Sequence, residues 1–284
     1  MNWRPVEVIA GLTAQELLRR RLVHALLLLT ALVLVLTGWG FSRIPHLHLG
    51  GELLTPQLAK LAAAQLLLLV MFMFSFVVGL TAAFLAAPSV AGELESGVAL
   101  AVLARPISRA EFLLGRWLGL ALPLLAYVAL SASVEFWLVA VGTGYAPPDP
   151  VGAEAALAGQ GLVLLTLTLA LSTRLSAMAS GVVAVVVFGA MWVAGVAGAF
   201  GSAFHNTAIS AVGTVSHLLV PSDGLWRAAV YEIQPKLFAS ASLSRVGSPF
   251  SATSGATPAY LAFAGAWVLL VLAIAVLSLD RREV

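Results

Sequence analysis

Apolar positions in this chain gather into six long runs, each near the 20 residues a helix needs to cross a hydrocarbon layer about 30 Å thick. The runs extend from Leu22 to Phe41, Leu61 to Ala86, Trp117 to Val141, Ala155 to Thr173, Ala177 to Phe200 and Ala259 to Leu279. They predict an all-α integral membrane protein, read as a single transmembrane domain over 1–284. No small-residue cleavage site follows the first run, so it is expected to be a retained span. One further apolar stretch, Ile209 to Val220, has only about a dozen residues and stops at Pro221, too short to cross. It predicts short re-entrant or interfacial helices before span six, within an outer segment 201–258.

The polar intervals are as informative as the apolar ones. Over residues 1–21, Val6, Ile9, Ala10, Ala14 and Leu17 share one helical face, with Arg4, Gln15 and Arg19 opposite, which predicts an interfacial amphipathic helix. The longest polar connection, 87–116, follows span two. Its first part predicts a short helix beginning after Pro88 and Ser89, with Glu93 and Glu95 in the first turn where the helix dipole favours anions. Pro106 disfavours helical geometry at Arg105 and ends that helix. A second helix then starts with a capping box between Ser108 and Glu111, bridged by an Ile107–Phe112 staple, and runs into span three. A simple chain reversal needs only a few residues. A capped, rigid element of this length suits the transmission of a push from a soluble partner.

Composition then fixes the solvent and the topology. Hydrophobic residues make up 61% of the chain and charged residues 10%, against about 25% charged in an ordinary soluble domain. At a mean hydropathy of +1.01 there are too few polar side chains to cover a water-soluble fold. The formal net charge of +2 is no basic surplus for nucleic acid. Lys and Arg are retained preferentially on the cytoplasmic side. An inside N-terminus leaves Arg4, Arg19, Arg20, Arg21, Arg105, Arg109, Arg116, Arg174, Arg281 and Arg282 in the cytoplasm, and only Arg43, Lys60, Arg227, Lys236 and Arg245 outside. Both termini are therefore expected inside.

The run Glu93-x-Glu95-x-Gly97, then Leu103-Ala-Arg105-Pro106-Ile-Ser108-Arg109, then Leu114-Gly115-Arg116, resembles the coupling segment of ABC transporter permeases of the type-2 exporter class. Glu16-Leu-Leu-Arg19-Arg-Arg-Leu22 is similar to the amphipathic leading helix of the same family. Val220-Pro-Ser-Asp223-Gly-Leu-Trp-Arg227 is similar to an outer stretch of its copper-processing branch, which serves nitrous oxide reductase maturation. The family more often carries Lys where Arg116 stands, and the charge is retained. The resemblance implies a half-transporter in a bacterial or archaeal cytoplasmic membrane. Two cytoplasmic ABC ATPase subunits would grip the segment from Glu93 to Arg109, and a second permease copy, normally identical, would complete the pathway. ATP and Mg would be bound by the ATPase, leaving no cofactor in this chain.

Chemistry within the spans is sparse. Tyr127, Ser131 and Glu135 recur every four residues on one face of span three, either as a polar stripe on a substrate path or dimer seam, or as groups hydrated near the outer interface. Gly181, Gly189, Gly195 and Gly198 on span five permit close helix contact. His46 and His48 form a short pair, and His205 and His217 read as isolated, so no metal site is expected. Zero Cys and 5 Met give no copper-handling signature. The sequence holds no Gly-x-x-x-x-Gly-Lys-Ser/Thr loop, Gly-x-Ser-x-Gly elbow or His-Glu-x-x-His helix, so no catalytic residue is expected. A secondary transporter, a membrane assembly subunit and a membrane-embedded enzyme remain the competing readings.

Overall fold

Each long apolar run becomes one helix, because backbone amides in a hydrocarbon layer find partners only within their own segment. The computed structural model describes residues 3–49, 52–95, 107–236 and 252–281. In chain order the helices are α1 (Trp3–Leu18), α2 (Arg21–Arg43), α3 (Pro56–Glu95), α4 (Arg109–Thr143), α5 (Pro150–Ser172), α6 (Ala177–Ala203), α7 (Thr207–Leu219), α8 (Ser222–Ile233) and α9 (Pro258–Asp280). A 3-10 turn (Ile44–His46) and a two-residue antiparallel pair, His48–Leu49 with Glu52–Leu53, link α2 to α3. Among the described residues six helices, α2 to α6 and α9, are long and apolar enough to cross a membrane.

The core lies where α3, α4 and α5 meet. Leu67, Leu68 and Met71 of α3, Leu113 and Val128 of α4, and Leu157, Leu164 and Leu165 of α5 are all buried. Phe72 and Phe76 pack edge to face with ring centroids 4.9 Å apart, and the rings of Trp192 of α6 and Trp226 of α8 join that cluster with centroids 5.4 and 5.7 Å from that of Phe72. Inside it, Gln160 Nε2 donates to Ser75 Oγ at 2.9 Å and Trp117 Nε1 to Thr166 Oγ1 at 2.8 Å, so these buried polar groups are paired. By contrast α2 buries only Val23 and Phe41, and α9 only Ala264, Leu272, Ala275 and Leu279. Their remaining apolar faces suit lipid or another protein.

One expected boundary is corrected. The second span's helix does not end at Pro88; α3, 40 residues long, continues through it to Glu95. Proline inside a membrane helix is tolerated where neighbours pack tightly around the bend. Ala86, Ala87, Val90 and Ala91 are buried on either side, and Ser89 Oγ donates to Ala86 O at 2.6 Å. Glu93 and Glu95 consequently stand in the last turn of a long helix, where the dipole opposes a negative charge, and not in the first turn of a new one. At about 1.5 Å per residue α3 is roughly 60 Å long, so it must project well beyond a bilayer.

The short apolar stretch before the last span forms the expected helix pair. Asn206 caps α7 by accepting from Ile209 N at 3.1 Å. The hairpin between α6 and α7 closes on glycine: a Cβ at Gly198 would come within 2.5 Å of Gly213 Cα. Helix α8 is drawn into the bundle, burying Leu225, Trp226, Ala229, Val230 and Ile233. Its end is fastened to the turn before α5, since Asp149 N donates to Glu232 O at 3.2 Å and the Tyr145 hydroxyl donates to Ile233 O.

Candidate functional site

The richest cluster of charges joins the end of α3 to the start of α4. Ser108 begins α4 with both halves of the capping box in place: Ser108 Oγ accepts from Glu111 N at 3.2 Å, and Glu111 Oε2 accepts from Ser108 N at 3.0 Å. Two turns on, Arg116 is ion-paired with Glu93, which reverses part of the dipole cost that Glu93 meets at the C-terminus of α3. Arg116 also reaches Glu16 of α1 at 3.3 Å, and Glu16 is held by Arg20 at 2.7 Å. The Arg20 bond, opposed by partial burial and reinforced by the nearby Arg116 charge, keeps the Glu16 carboxyl below the ordinary carboxylate range. These groups border a cleft of about 380 Å³ whose floor is Pro88, Ser89 and Gly92.

This junction is tied to three further helices. Helix α1 lies against α4 because Gly115 and Gly119 leave a notch: a Cβ at 115 would stand 2.7 Å from Ile9 Cβ, and one at 119 would stand 2.6 Å from Ala10 O. Arg109 donates to the carbonyls of Leu279, and of Asp280 at 3.1 Å, binding the start of α4 to the end of α9. Glu95 accepts from Ala177 N at 3.4 Å, binding the end of α3 to the start of α6. So Glu93, Glu95, Ser108, Arg109, Glu111, Gly115 and Arg116 are gathered in one place. Gly97, Arg105 and Pro106 lie outside the described residues. Glu16 was missing from the candidates, although its i,i+4 spacing to Arg20 was a readable signal.

The stripe on α4 faces α2. Thr30 Oγ1 and the Tyr127 hydroxyl share a hydrogen bond of 2.8 Å, and Thr37 Oγ1 donates to Glu135 Oε2 at 2.8 Å. Ser131 is buried between them. Glu135 is 1% exposed, so it is not hydrated at an interface in the single chain, and its Oε1 has no partner among the described residues. Thr30 and Thr37, seven apart, answer Tyr127 and Glu135, eight apart. That near-match of spacings was the signal for a paired seam.

The histidines read as isolated are not. His205 and His217 border the same cavity, and His217 Nε2 lies 2.8 Å from Asp223 Oδ2. Among the span-five glycines, Gly195, Gly198 and Gly181 face close neighbours, whereas Gly189 has nothing within 4 Å of a Cβ position.

A bundle of six apolar spans with a long second helix, a capped charged junction to the third and a short helix pair before the sixth is the architecture of a multi-pass membrane protein. Residues 8–284 match the family described as ABC-2 family transporter protein, and the chain belongs to that family. It is therefore a permease subunit of an ABC transporter, a class that works with ABC ATPase subunits. The match is at the level of the family and does not single out a copper-processing branch. No curated protein matches the chain.

Proposed function

We propose that this chain is the membrane permease of an ATP-driven exporter, moved by a separate ATPase that grips the connection between α3 and α4. The observation that carries the reading is the set of ties at both ends of that connection: Glu93 to Arg116 and through it to Glu16 of α1, Glu95 to α6, and Arg109 to α9. A displacement delivered anywhere between Glu95 and Ser108 reaches three helices besides its own two. The rigid start of α4 keeps such a push from being absorbed locally, since its first turn is closed from both sides by the capping box. On this reading Gly97, Arg105 and Pro106 belong to the surface presented to the ATPase, and Gly115 is the notch that seats α1. Two ATPase subunits carry ATP and Mg, and two permease copies form the pathway. The junction and both termini face the cytoplasm, in agreement with the excess of basic residues there.

The test is co-expression with a candidate ABC ATPase subunit from the same genome, followed by co-purification and measurement of ATPase activity with and without the permease. The complex should form, and Arg105→Glu should abolish permease-dependent ATPase activity while leaving the permease folded. A permease that transports substrate in proteoliposomes without ATP would refute the proposal and favour a secondary transporter.

A further inference from the structure

The cavity between α6, α7, α8 and the start of α9 has about 640 Å³, within the range of small-ligand sites. Among the described residues its lining carries the Arg227 guanidinium, the imidazoles of His217 and His205, and hydroxyls from Ser202, Ser210 and Thr214, and no carboxylate. The acid that serves it, Asp223, sits behind the wall at 2% exposure. Asp223 Oδ2 accepts from His217 Nε2 at 2.8 Å and from Arg227 Nε at 2.9 Å, so one oxygen fixes both side chains. Because Arg227 uses Nε for this bond, its two terminal nitrogens have no partner among the described residues. That leaves the forked end of the guanidinium free, the end that meets phosphate oxygens in pairs.

Burying Asp223 here is costly by itself. Its Oδ1 has no hydrogen-bond partner among the described residues. The chain also makes room for it, since a Cβ at Gly195 would lie 1.8 Å from Asp223 Oδ2. Buried polar atoms without partners are rare in folded proteins and call for a role beyond stability. Orienting a guanidinium and an imidazole toward an open cavity is such a role. The hydroxyls supply the remaining directions a tetrahedral anion needs. Ser202 and Ser210 now bond each other at 3.0 Å, and hydroxyl rotors can turn to a better acceptor.

We infer that this cavity binds a phosphate ester, with Arg227 and His217 as its contacts and Asp223 as the positioning residue that holds both. The ester is either the headgroup of an anionic lipid or a soluble phosphate. The site stands apart from the α3–α4 junction, and its binding chemistry needs no ATPase, so it can be tested without that reading.

The experiment uses the full-length protein in dodecyl maltoside and three probes: glycerol 3-phosphate, dioctanoyl phosphatidic acid and dioctanoylglycerol, with binding measured by isothermal titration calorimetry. Phosphatidic acid should bind and dioctanoylglycerol should not. If glycerol 3-phosphate competes, the site accepts soluble phosphates; if only the lipid binds, the headgroup source is established. Arg227→Lys keeps the charge opposite Asp223 but loses the fork, and should weaken binding at least tenfold. Ala199→Phe fills the cavity from α6 while leaving Arg227, His217 and Asp223 in the sequence and should abolish binding, which covers the case of an Arg227 variant that fails to fold. Asp223→Asn is the decisive readout for positioning. Removing a negative charge near an anion would tighten binding if Asp223 acted only by its charge, whereas lost orientation of Arg227 and His217 weakens it. No binding of either phosphate probe at millimolar concentration, equal binding of dioctanoylglycerol, or affinity unchanged by both Arg227→Lys and Ala199→Phe overturns the proposal. A tighter Asp223→Asn overturns the positioning role.

Discussion

Two glycines on one helix should respond oppositely to the same methyl group. Gly189 and Gly195 both lie in α6, and at Gly189 a Cβ meets nothing within 4 Å. Gly189→Ala therefore removes only backbone freedom, and should stabilise the protein by about 0.4 to 1 kcal/mol. At Gly195 the added Cβ would stand 1.8 Å from Asp223 Oδ2, 2.4 Å from its Cγ and 3.0 Å from its Oδ1. All three atoms belong to one short side chain on the neighbouring helix, so relief requires α8 to withdraw by more than 1 Å or the carboxylate to swing off its partners. Overpacking of this kind costs about 1 to 3 kcal/mol. Separating a buried carboxylate from a bound cation costs about 3 to 5 kcal/mol, and the cheaper route wins. Allowing for the alanine gain, a net loss of roughly 1 kcal/mol is expected for Gly195→Ala. Thermal unfolding in detergent, followed by intrinsic tryptophan fluorescence, should place Gly195→Ala several degrees below the parent and Gly189→Ala at or above it. The penalty should shrink when Gly195→Ala is made on an Asp223→Ala background, because neighbours that share a clash do not add. Equal melting temperatures for the two alanine variants would refute the packing argument.

Other perturbations separate the remaining contacts. Arg116→Ala leaves Glu93 and Glu16 without their shared cation and should cost about 3 kcal/mol in thermal or urea unfolding, with Arg116→Lys recovering only part of it. Thr37→Val removes the donor to a buried carboxylate and should cost about 1 to 3 kcal/mol, whereas Glu135→Gln, which keeps an acceptor for Thr37 and loses the charge, should be neutral or stabilising. Ser108→Ala should cost about 1 kcal/mol, and Ser108→Asp should restore it. For Glu16 the sign is set by a folded pKa below the unfolded one. Its contribution is complete above the ordinary carboxylate range and is lost as the pH falls through the lower folded value. Protection of the α1 amides, taken relative to intrinsic exchange at each pH, should decline as the pH falls from the ordinary carboxylate range through the lower folded value, and Arg20→Gln should move that loss to higher pH.

What could be read in the sequence, and what could not, follows the range over which each force acts. The spans, the α7–α8 pair and the cap at Ser108 depend on neighbours within a few positions, so hydropathy and the Ser-x-x-Glu spacing expose them. Pro88 misleads because the local rule is sound for a helix in water: the residue before proline avoids helical geometry. What overrides it is the burial of Ala86, Ala87, Val90 and Ala91 against the rest of the bundle, a fact about residues far away in the chain. The error then propagates, since a helix that runs on puts Glu93 and Glu95 at a negative dipole end, where their placement makes sense only with Arg116 and the Ala177 amide in view. The same holds for Asp223. Its motif is visible, and its i,i+4 relation to Arg227 is countable, but the third member, His217, comes from another helix, and the space for the carboxylate is made by a glycine 28 positions earlier. In a bundle of nearly uniform apolar helices, small residues specify which faces meet, because without a hydrophobic drive between helices close approach supplies the packing energy. Gly115, Gly119, Gly195, Gly198 and Gly213 each mark such a meeting, and Gly189, alike in sequence, marks none. A glycine in this chain therefore becomes informative only with its partner known, and both charged clusters sit where such partners bring helices together.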